Sequence, residues 1–354
     1  MHLRYRAGPR AQRTLREHGL SAATLRALIA PAAGPKWLVV AGLDRALLGS
    51  PLLRDRGEPL LLLGASAGAW RAMALSARHP AACHRALAEG YVGQRFERGV
   101  DARTVSAAYR VLLANVFPDD DVAHALAHRD LELALIAVRT RGTTGSERRT
   151  LQTTTLGLAA ALNLLTPRSR ELFFERTLFT RGTATPHRML SQLAGTRAAL
   201  TPDNAREALL ASGTVPLYMA PVRDIAGAPS GRYMDGGLTD YHVNQPVTTG
   251  GDGVALLMLH QSRIVPNWFD KLVPLRAARP AWLQDLLLVY PDERWVASLP
   301  GGQIPTREDF ETFVDAPEER IARWQEAVAR SEQLGEQLLE DLERGRLPDL
   351  VEPL

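Results

Sequence analysis

The chain has 354 residues, of which 45% are hydrophobic and 23% charged, a mixture typical of a globular protein with one large α/β domain or two smaller ones. Its formal net charge is +3, and its 42 basic residues, all but two of them arginine, are scattered among acidic residues, which argues against nucleic-acid binding. A single cysteine, Cys83, excludes an intrachain disulfide, and no apolar run has the length of a signal-peptide core or a membrane span, so we expect a cytoplasmic protein with at most peripheral membrane contact.

The first part of the chain predicts two strand–turn–helix units after a polar, arginine-rich lead-in over residues 1–24. Residues 25–30 are a short apolar run that indicates a strand, and a small-residue loop then leads into a predicted helix over 36–48. Residues 59–64 are almost all leucine, which is typical of a strand buried on both faces of a parallel sheet, and 67–78 predict the helix after it. This alternation favours an α/β domain.

The middle of the chain predicts further helices, a strand and a loop. Residues 81–115 indicate helix, and 131–140 another strand. Residues 142–155 are rich in Thr, Ser, Gly and Arg, which favours a surface loop or hairpin. Thr166–Pro167 is a helix start signal, and we expect a helix there whose aromatic residues, up to Phe179, face the core rather than an acyl-chain flap.

The remainder predicts one more strand and a helical end. Thr201–Pro202 repeats the helix start signal for a helix that ends near residue 211, and 253–260 indicate a late strand. Asp315 and Glu318 suggest a capping box for a long amphipathic helix that continues to Leu342 and packs on the domain rather than on a membrane. We therefore divide the chain into a lead-in (1–24), an α/β domain (25–300) and a helical extension (301–354).

The pattern GxSxG occurs once between a predicted strand and a predicted helix, as Gly64 to Gly68 with Ser66 at its centre. A nucleophilic serine needs a tight, strained turn that exposes its hydroxyl, and small neighbours let the strand and helix pack closely around it. The N–H of Ala67 begins the helix, where free donors and the helix dipole favour an oxyanion. Ser66 is therefore our candidate nucleophile, with Gly64 and Gly68 in support.

Two further short motifs are candidate parts of a site that contains Ser66. Asp235 is followed by Gly236 and Gly237, which in isolation is more typical of an ordinary turn. The loop Ala33–Gly34–Pro35–Lys36 follows the first predicted strand, and such a loop can direct backbone N–H groups at a developing negative charge.

Taken together, these motifs resemble those of the patatin-like phospholipases. That family has a glycine-rich oxyanion loop followed by Arg or Lys, then GxSxG, then Asp-Gly-Gly, and the order here is the same. The segment Ala211–Pro216 is similar to the family's Ala-Ser-x-x-x-Pro segment. The resemblance spans residues 25–259. It departs in the loop, where Ala32 and Ala33 replace glycines and Pro35 lacks an N–H.

The resemblance implies a three-layer α/β/α fold with a central, mainly parallel sheet and a Ser66–Asp235 catalytic dyad. Ser66 would attack a lipid-like carboxylic ester and form an acyl-enzyme, with Gly34, Ala33 and Ala67 as oxyanion-hole candidates. Lys36, Gly236 and Gly237 would support the site. It implies no metal or other cofactor, and the partner would be a lipid or ester substrate, with no nucleic acid.

Three alternatives remain at the level of sequence. The order Ser66, Asp235, His260 also permits a triad in which His260, at the end of a predicted strand, is the base. The same dyad could serve an acyltransferase, in which an alcohol or thiol replaces water. A non-catalytic lipid-binding protein would be expected to have lost Ser66 or Asp235, and both are present.

Overall fold

The computed structural model describes residues 2–181, 188–242, 245, 246, 249 and 251–354. Its strands, in chain order, are β1 (Leu3–Ala7), β2 (Leu25–Ala30), β3 (Leu60–Ala65), β4 (Leu131–Thr140), β5 (Phe174–Thr180), β6 (Thr196–Ala199), β7 (Val222–Arg223), β8 (Arg232–Asp235), β9 (Val254–Met258), β10 (Leu286–Pro291) and β11 (Val351–Pro353). Its α-helices are α1 (Pro9–His18), α2 (Ala41–Gly49), α3 (Ala67–Ser76), α4 (Pro80–Val92), α5 (Ala102–Val116), α6 (Asp119–Ala127), α7 (Arg149–Leu165), α8 (Ala205–Ser212), α9 (Glu293–Ala297), α10 (Asp309–Thr312), α11 (Pro317–Arg330), α12 (Glu332–Glu343) and α13 (Leu347–Leu350).

These strands form one mixed, mostly parallel sheet in the order β11-β1-β10-β9-β2-β3-β4-β5-β6. The inner strands from β10 to β4 are all parallel, as expected where helices or long connections join consecutive strands. β5 and β8 both pair antiparallel with β4, and β7 pairs with β8. The prediction of an α/β fold with a central, mainly parallel sheet is confirmed.

Side chains on the two faces of the inner strands belong to two separate hydrophobic layers. Leu60 and Leu62 of β3 face a large core that also includes residues of α1 to α6, α8, α11 and α12. Leu61 faces a smaller core covered by loops and short 3-10 helices, and α7 packs nearby on β4, β5 and β8. The alternation follows from the two-residue period of a strand, and layers on both faces are consistent with a three-layer α/β/α architecture.

The elements that carry the predicted motifs are confirmed. β2 and β4 have the predicted bounds, and β3 and α3 differ from the predictions by one and two residues at their ends. α8 ends at Ser212, and β9 lies inside the predicted strand 253–260. Long apolar runs therefore predicted the strands well. The start signal at Thr201–Pro202 was wrong, because residues 202–204 form a turn and α8 begins at Ala205 after Asn204.

Residues 1–24, for which the sequence predicted no strand or helix, contain β1 and α1. Leu3, Tyr5 and Ala7 of β1 are buried, while the arginines between them point outward and give the segment its polar appearance. β1 pairs with both β10 and β11, so the first and last strands of the chain share the sheet. The domain bounds 1–24, 25–300 and 301–354 stay a prediction.

Two predictions in the middle of the chain were also wrong. The expected loop over 142–155 contains the first half of α7, which buries Gln152, Leu156, Ala159 and Asn163 at helical spacing. The expected helix after Thr166–Pro167 is a 3-10 helix, Pro167–Leu172, followed by β5. The four-residue interval between Phe174 and Leu178 fits the period of a strand as well as that of a helix, and aromatic residues favour the strand.

Predicted helices elsewhere are interrupted. The predicted helix 36–48 is a 3-10 helix, Gly34–Val40, followed by α2, and the predicted helical segment 81–115 is two helices, α4 and α5. The C-terminal helix is likewise divided at Ser331 into α11 and α12. The capping box is absent: α11 begins at Pro317 after Ala316, and Asp315 and Glu318 instead form ion pairs with Arg98 and Arg95.

Candidate active site

Ser66 lies at a sharp turn between β3 and α3 and has a φ of 56° and a ψ of −134°, an uncommon conformation for a residue other than glycine. Its neighbours must be small. A Cβ on Gly64 would lie 2.5 Å from the Cα of Ala69, and one on Gly68 would lie 2.0 Å from the carbonyl oxygen of Ala30. The two glycines therefore allow the strand, the turn and the helix to pack closely, as the sequence predicted.

The register of β4 brings Asp235 beside Ser66. Ala65, the last residue of β3, pairs with Ile136, and Asp235, the last residue of β8, pairs with the next residue of β4, Ala137. β8 thus continues along β4 where β3 ends, so the two candidate residues meet although 169 positions separate them. Gly236 is needed at this crossing, because a Cβ there would lie 2.3 Å from the carbonyl oxygen of Ile136.

The Ser66 hydroxyl donates a hydrogen bond of 2.6 Å to Oδ2 of Asp235. The other carboxylate oxygen, Oδ1, accepts a hydrogen bond of 2.7 Å from the N–H of Gly237. Both side chains are buried, with 5% and 8% of their surface exposed. The carboxylate is therefore held in one orientation, with one oxygen directed at the candidate nucleophile.

The environment raises the pKa of Asp235 above its ordinary value. Burial is the main cause, because it penalises the charged form, while the hydrogen bonds from Ser66 and Gly237 and the positive charges of Arg307 and Lys271 act in the opposite direction. A carboxylate with a raised pKa is a stronger base than an exposed one, which suits it to accept a proton.

Ser212, at the end of α8, holds the turn in place. Its hydroxyl accepts a hydrogen bond of 2.9 Å from the N–H of Ser66 and donates one of 2.6 Å to the carbonyl oxygen of Ile136. It thereby connects the turn at Ser66 to β4. Ser212 lies in the segment Ala211–Pro216 that carries part of the family resemblance, but the sequence predicted no role for this residue.

The oxyanion-hole candidates border the same space as Ser66. Ala33 and Gly34 line a cavity of about 20 Å³ together with Ser66 and Asp235. Gly34 has a φ of 54°, which favours glycine, and it begins a 3-10 helix. The first N–H groups of a helix have no partner within it, so the amide of Ala67, which begins α3, is also a suitable donor.

A larger cavity of about 380 Å³ opens from Ser66 and is lined mainly by apolar and aromatic side chains. Trp70, Tyr109, Val215 and Phe310 are among them, and Arg307 borders both this cavity and the smaller one. A mainly apolar space beside a polar reactive group is typical of a site for a substrate with a hydrophobic part. Arg307 belongs to no motif, so no signal in the sequence pointed to it.

Both lysines of the chain lie near the site and act on its electrostatics. Burial is the main cause that lowers the pKa of Lys36, and Glu308 opposes it. Lys271 has its pKa lowered to about 7, chiefly by burial and then by the nearby charges of Arg307 and Lys36, and its Nζ lies 3.9 Å from the ring centre of Tyr241. Lys36 thus acts on the charge of Lys271, its supporting role at the site stays a prediction, and Lys271 was not predicted.

His260, the alternative candidate for the base, is buried. Burial is the main cause that lowers the pKa of His260 to about 3. Its ring lies 5.8 Å from that of His242, whose Nδ1 accepts a hydrogen bond from the N–H of Val265. In the described part of the chain no hydrogen bond joins His260 to Ser66 or Asp235, which instead contact each other directly.

The described residues contain neither a cluster of metal-ligating side chains nor a helix that could span a membrane. No group of three or more His, Cys, Asp and Glu side chains in these residues is arranged to hold a metal ion. In the same residues, every helix is too short or too polar to cross a bilayer.

Comparison of the chain with models of known protein families and with curated proteins finds no match.

Proposed function

We propose that this protein is a serine hydrolase of the patatin-like type, which cleaves carboxylic esters of lipid-like substrates through Ser66 and Asp235. The observation that carries the proposal is the 2.6 Å hydrogen bond from the Ser66 hydroxyl to the Asp235 carboxylate, made at a strained turn between a parallel strand and a helix. A buried carboxylate that directly accepts the proton of a serine at such a turn is the arrangement that a two-residue nucleophilic site requires.

In the acylation step, Asp235 accepts the hydroxyl proton as Oγ of Ser66 forms a bond with the ester carbonyl carbon. The negative charge that develops on the carbonyl oxygen would be stabilised by the N–H groups of Ala67, Gly34 and Ala33, with Arg307 as an additional positive charge at the cavity. Pro35 has no N–H to contribute. Collapse of the tetrahedral intermediate then releases the alcohol, which takes the proton from Asp235, and leaves the acyl group on Ser66.

In the second step, Asp235 accepts a proton from water, and the hydroxide formed attacks the acyl carbon. The cavity of about 20 Å³ that borders Ser66 and Asp235 has room for one water molecule. Release of the acid returns the proton to Ser66. The hydrogen bond from Gly237 keeps the Asp235 carboxylate in the same orientation through both steps.

The preference for lipid-like esters rests on the larger cavity. Its volume of about 380 Å³ lies within the range of small-molecule sites, and its aromatic and aliphatic lining would accommodate an acyl chain. A hydrophobic chain in this cavity would place the carboxylic ester at its Ser66 end.

The test is labelling with a long-chain fluorophosphonate, followed by mass spectrometry of the intact and digested protein. We expect one adduct, on Ser66, that disappears in Ser66→Ala and forms about 10²- to 10⁴-fold more slowly in Asp235→Asn, because the general base is lost. Asp224→Asn, which changes an exposed carboxylate on the same β7–β8 hairpin, is the matched control and should label at the wild-type rate.

Absence of an adduct on Ser66 in folded protein would overturn the proposed hydrolase function. An equal rate in Asp235→Asn and wild type would overturn the dyad. Hydrolysis of a long-chain nitrophenyl ester by the same variants provides a second readout that depends on turnover rather than on trapping.

A further inference from the structure

Most of the large hydrophobic side chains that the described residues expose are concentrated in one region. Seven of the nine are leucines of α7, of the following 3-10 helix and of the segment after Phe269, and we call them the leucine surface: Leu151, Leu158, Leu164, Leu165, Leu172, Leu272 and Leu275. Leu165 and Leu275 are 82% and 98% exposed. Isolated exposed leucines are common, but a concentration of this kind marks an interaction site.

Helix α7 has no charged residue from 150 to 165. One face packs on the core through Leu156 and Ala159. Leu151, Leu158 and Leu165, spaced seven residues apart, share the outer face, where a surface helix ordinarily has charged side chains. The outer face of α7 is therefore suited to contact with an apolar phase rather than water.

The separate segments of the leucine surface are connected at the end of α7. Arg276 donates hydrogen bonds to the carbonyl oxygens of Asn163 and Leu164 and forms an ion pair with Asp270. The Asn163 side chain also donates to Asp270. These bonds hold the segment containing Leu272 and Leu275 against the end of the helix, so the leucines lie on one structural unit.

The charges that accompany this surface are mainly positive. Residues 148–172 and 268–279 include seven basic side chains, but Arg170 is buried, Lys271 lies against the Tyr241 ring, and Arg276 is paired with the buried Asp270. The exposed charges are four arginines, Arg148, Arg149, Arg168 and Arg279, and one acidic residue, Glu171. Basic side chains around exposed leucines are complementary to a bilayer with anionic headgroups, whose acyl region takes up the leucines.

The first turns of α7 also border the larger cavity. Arg149 lines it, and Oε1 of Gln152 accepts a hydrogen bond from the N–H of Leu217, which lines it too. α7 is about 25 Å long. It therefore extends from the cavity of the candidate nucleophile to the far end of the leucine surface.

We propose that the leucine surface docks onto the headgroup region of an anionic lipid bilayer, with α7 lying along it. The docked orientation brings the opening of the Ser66 cavity to the membrane, so that an ester can enter from the bilayer. Docking itself does not depend on the proposed hydrolysis. Only the entry of an ester from the bilayer rests on that proposed function.

Docking is tested by flotation with vesicles, using the Ser66→Ala variant so that binding is measured without hydrolysis. We expect the protein to float with vesicles of phosphatidylcholine and phosphatidylglycerol in equal parts, less with phosphatidylcholine alone, and less as salt is raised. Leu158→Glu combined with Leu165→Glu should weaken binding by about 100-fold, since each leucine contributes about tenfold.

The matched control is Val111→Glu on α5, which changes an exposed hydrophobic residue outside the leucine surface. It should bind vesicles as the Ser66→Ala parent does. Because Leu158 and Leu165 are exposed, the double variant should keep the parent's circular dichroism and melting temperature.

Three results would overturn docking. The first is the absence of flotation with anionic vesicles, and the second is unchanged vesicle binding of the double variant. The third is that the parent protein forms a dimer in analytical ultracentrifugation and does not bind vesicles, whereas the double variant is a monomer. The last result would assign the leucine surface to a second copy of the chain. Labelling of Ser66 in wild-type protein is measured separately, so failure of docking and failure of hydrolysis are distinguishable.

Discussion

The Asp235 carboxylate is subject to opposing effects on its pKa, and their balance should determine how the proposed hydrolytic activity depends on pH. Burial raises its pKa, while hydrogen bonds and the charges of Arg307 and Lys271 hold the pKa down. Asp235 accepts a proton only when ionised, so hydrolysis should be lost as the pH falls through this pKa. The loss should therefore occur at higher pH than the ordinary aspartate value of about 3.9.

Replacing Arg307 should move this acidic limb. Arg307→Gln removes a positive charge that favours the ionised carboxylate, so the limb of kcat/KM against pH should shift upward. Arg98→Gln is the control, because Arg98 lines the same large cavity but is paired with Asp315 and is not among the main causes that shift the pKa of Asp235. A limb that stays in place in Arg307→Gln, or moves equally in Arg98→Gln, would contradict this electrostatic role.

Among single residues, the sequence predicted those that lie in short motifs and missed those that act on the candidate site from distant segments of the chain. Ser66 and Asp235 each have small neighbours that the backbone requires locally, and these neighbours are visible as GxSxG and Asp-Gly-Gly. Arg307 and Lys271 reach the site from segments with no local requirement of that kind. Their positions follow from tertiary packing, which one sequence does not encode as a pattern.

Among the elements, the β3–α3 turn depends on α8 through Ser212. Ser212→Ala would leave the N–H of Ser66 and the carbonyl of Ile136 without their buried partner. We expect a loss of about 1–3 kcal/mol in the free energy of unfolding and a fall in kcat of about tenfold, since the nucleophile would be less well oriented. Denaturant unfolding and steady-state kinetics measure the two effects.

Ser76→Ala is the matched control for this substitution. Ser76 is equally buried, but its hydroxyl only donates to the carbonyl oxygen of Ala72 within α3. Its loss should change stability by about 1 kcal/mol or less and leave kcat unchanged. Equal effects of the two substitutions on kcat would show that Ser212 has no particular role in orienting Ser66.

Two of the elements that the sequence predicted wrongly, β5 and α7, share one cause: their residue patterns fit two structures. In β5 the interval between Phe174 and Leu178 fits a strand or a helix, and pairing with β4 decides for the strand. In α7 the threonines suggested a loop, and packing of Leu156 and Ala159 on the core stabilises a helix instead. β3, apolar throughout and followed by the GxSxG turn, offered no such ambiguity.

In the molecule as a whole, the C-terminal helices are part of the structure that supports the site. α12 packs on α2, and the Tyr5 hydroxyl of β1 donates a hydrogen bond of 2.6 Å to Asp341 of α12. The N–H of Gly42 in α2 donates to the Ser331 hydroxyl between α11 and α12. Because α2 directly follows the 3-10 helix that begins at Gly34, this contact also supports the candidate oxyanion loop.

Close approach of α2 and α12 requires glycine at position 42. In Gly42→Ala the new Cβ would lie 2.0 Å from the carbonyl oxygen of Ser331, and the nearest atoms all belong to the backbone of Ser331 and Glu332, so no flexible side chain can move aside. We expect a loss of about 3 kcal/mol in the free energy of unfolding, measured by denaturant titration. Gly49→Ala, in the same helix but with no atom within 4 Å of the new Cβ, should be neutral or stabilising by up to about 1 kcal/mol, because alanine favours helix. If Gly42→Ala were tolerated as well as Gly49→Ala, the two helices could not be packed as closely as described, and the C-terminal helices would not support the oxyanion loop through this contact.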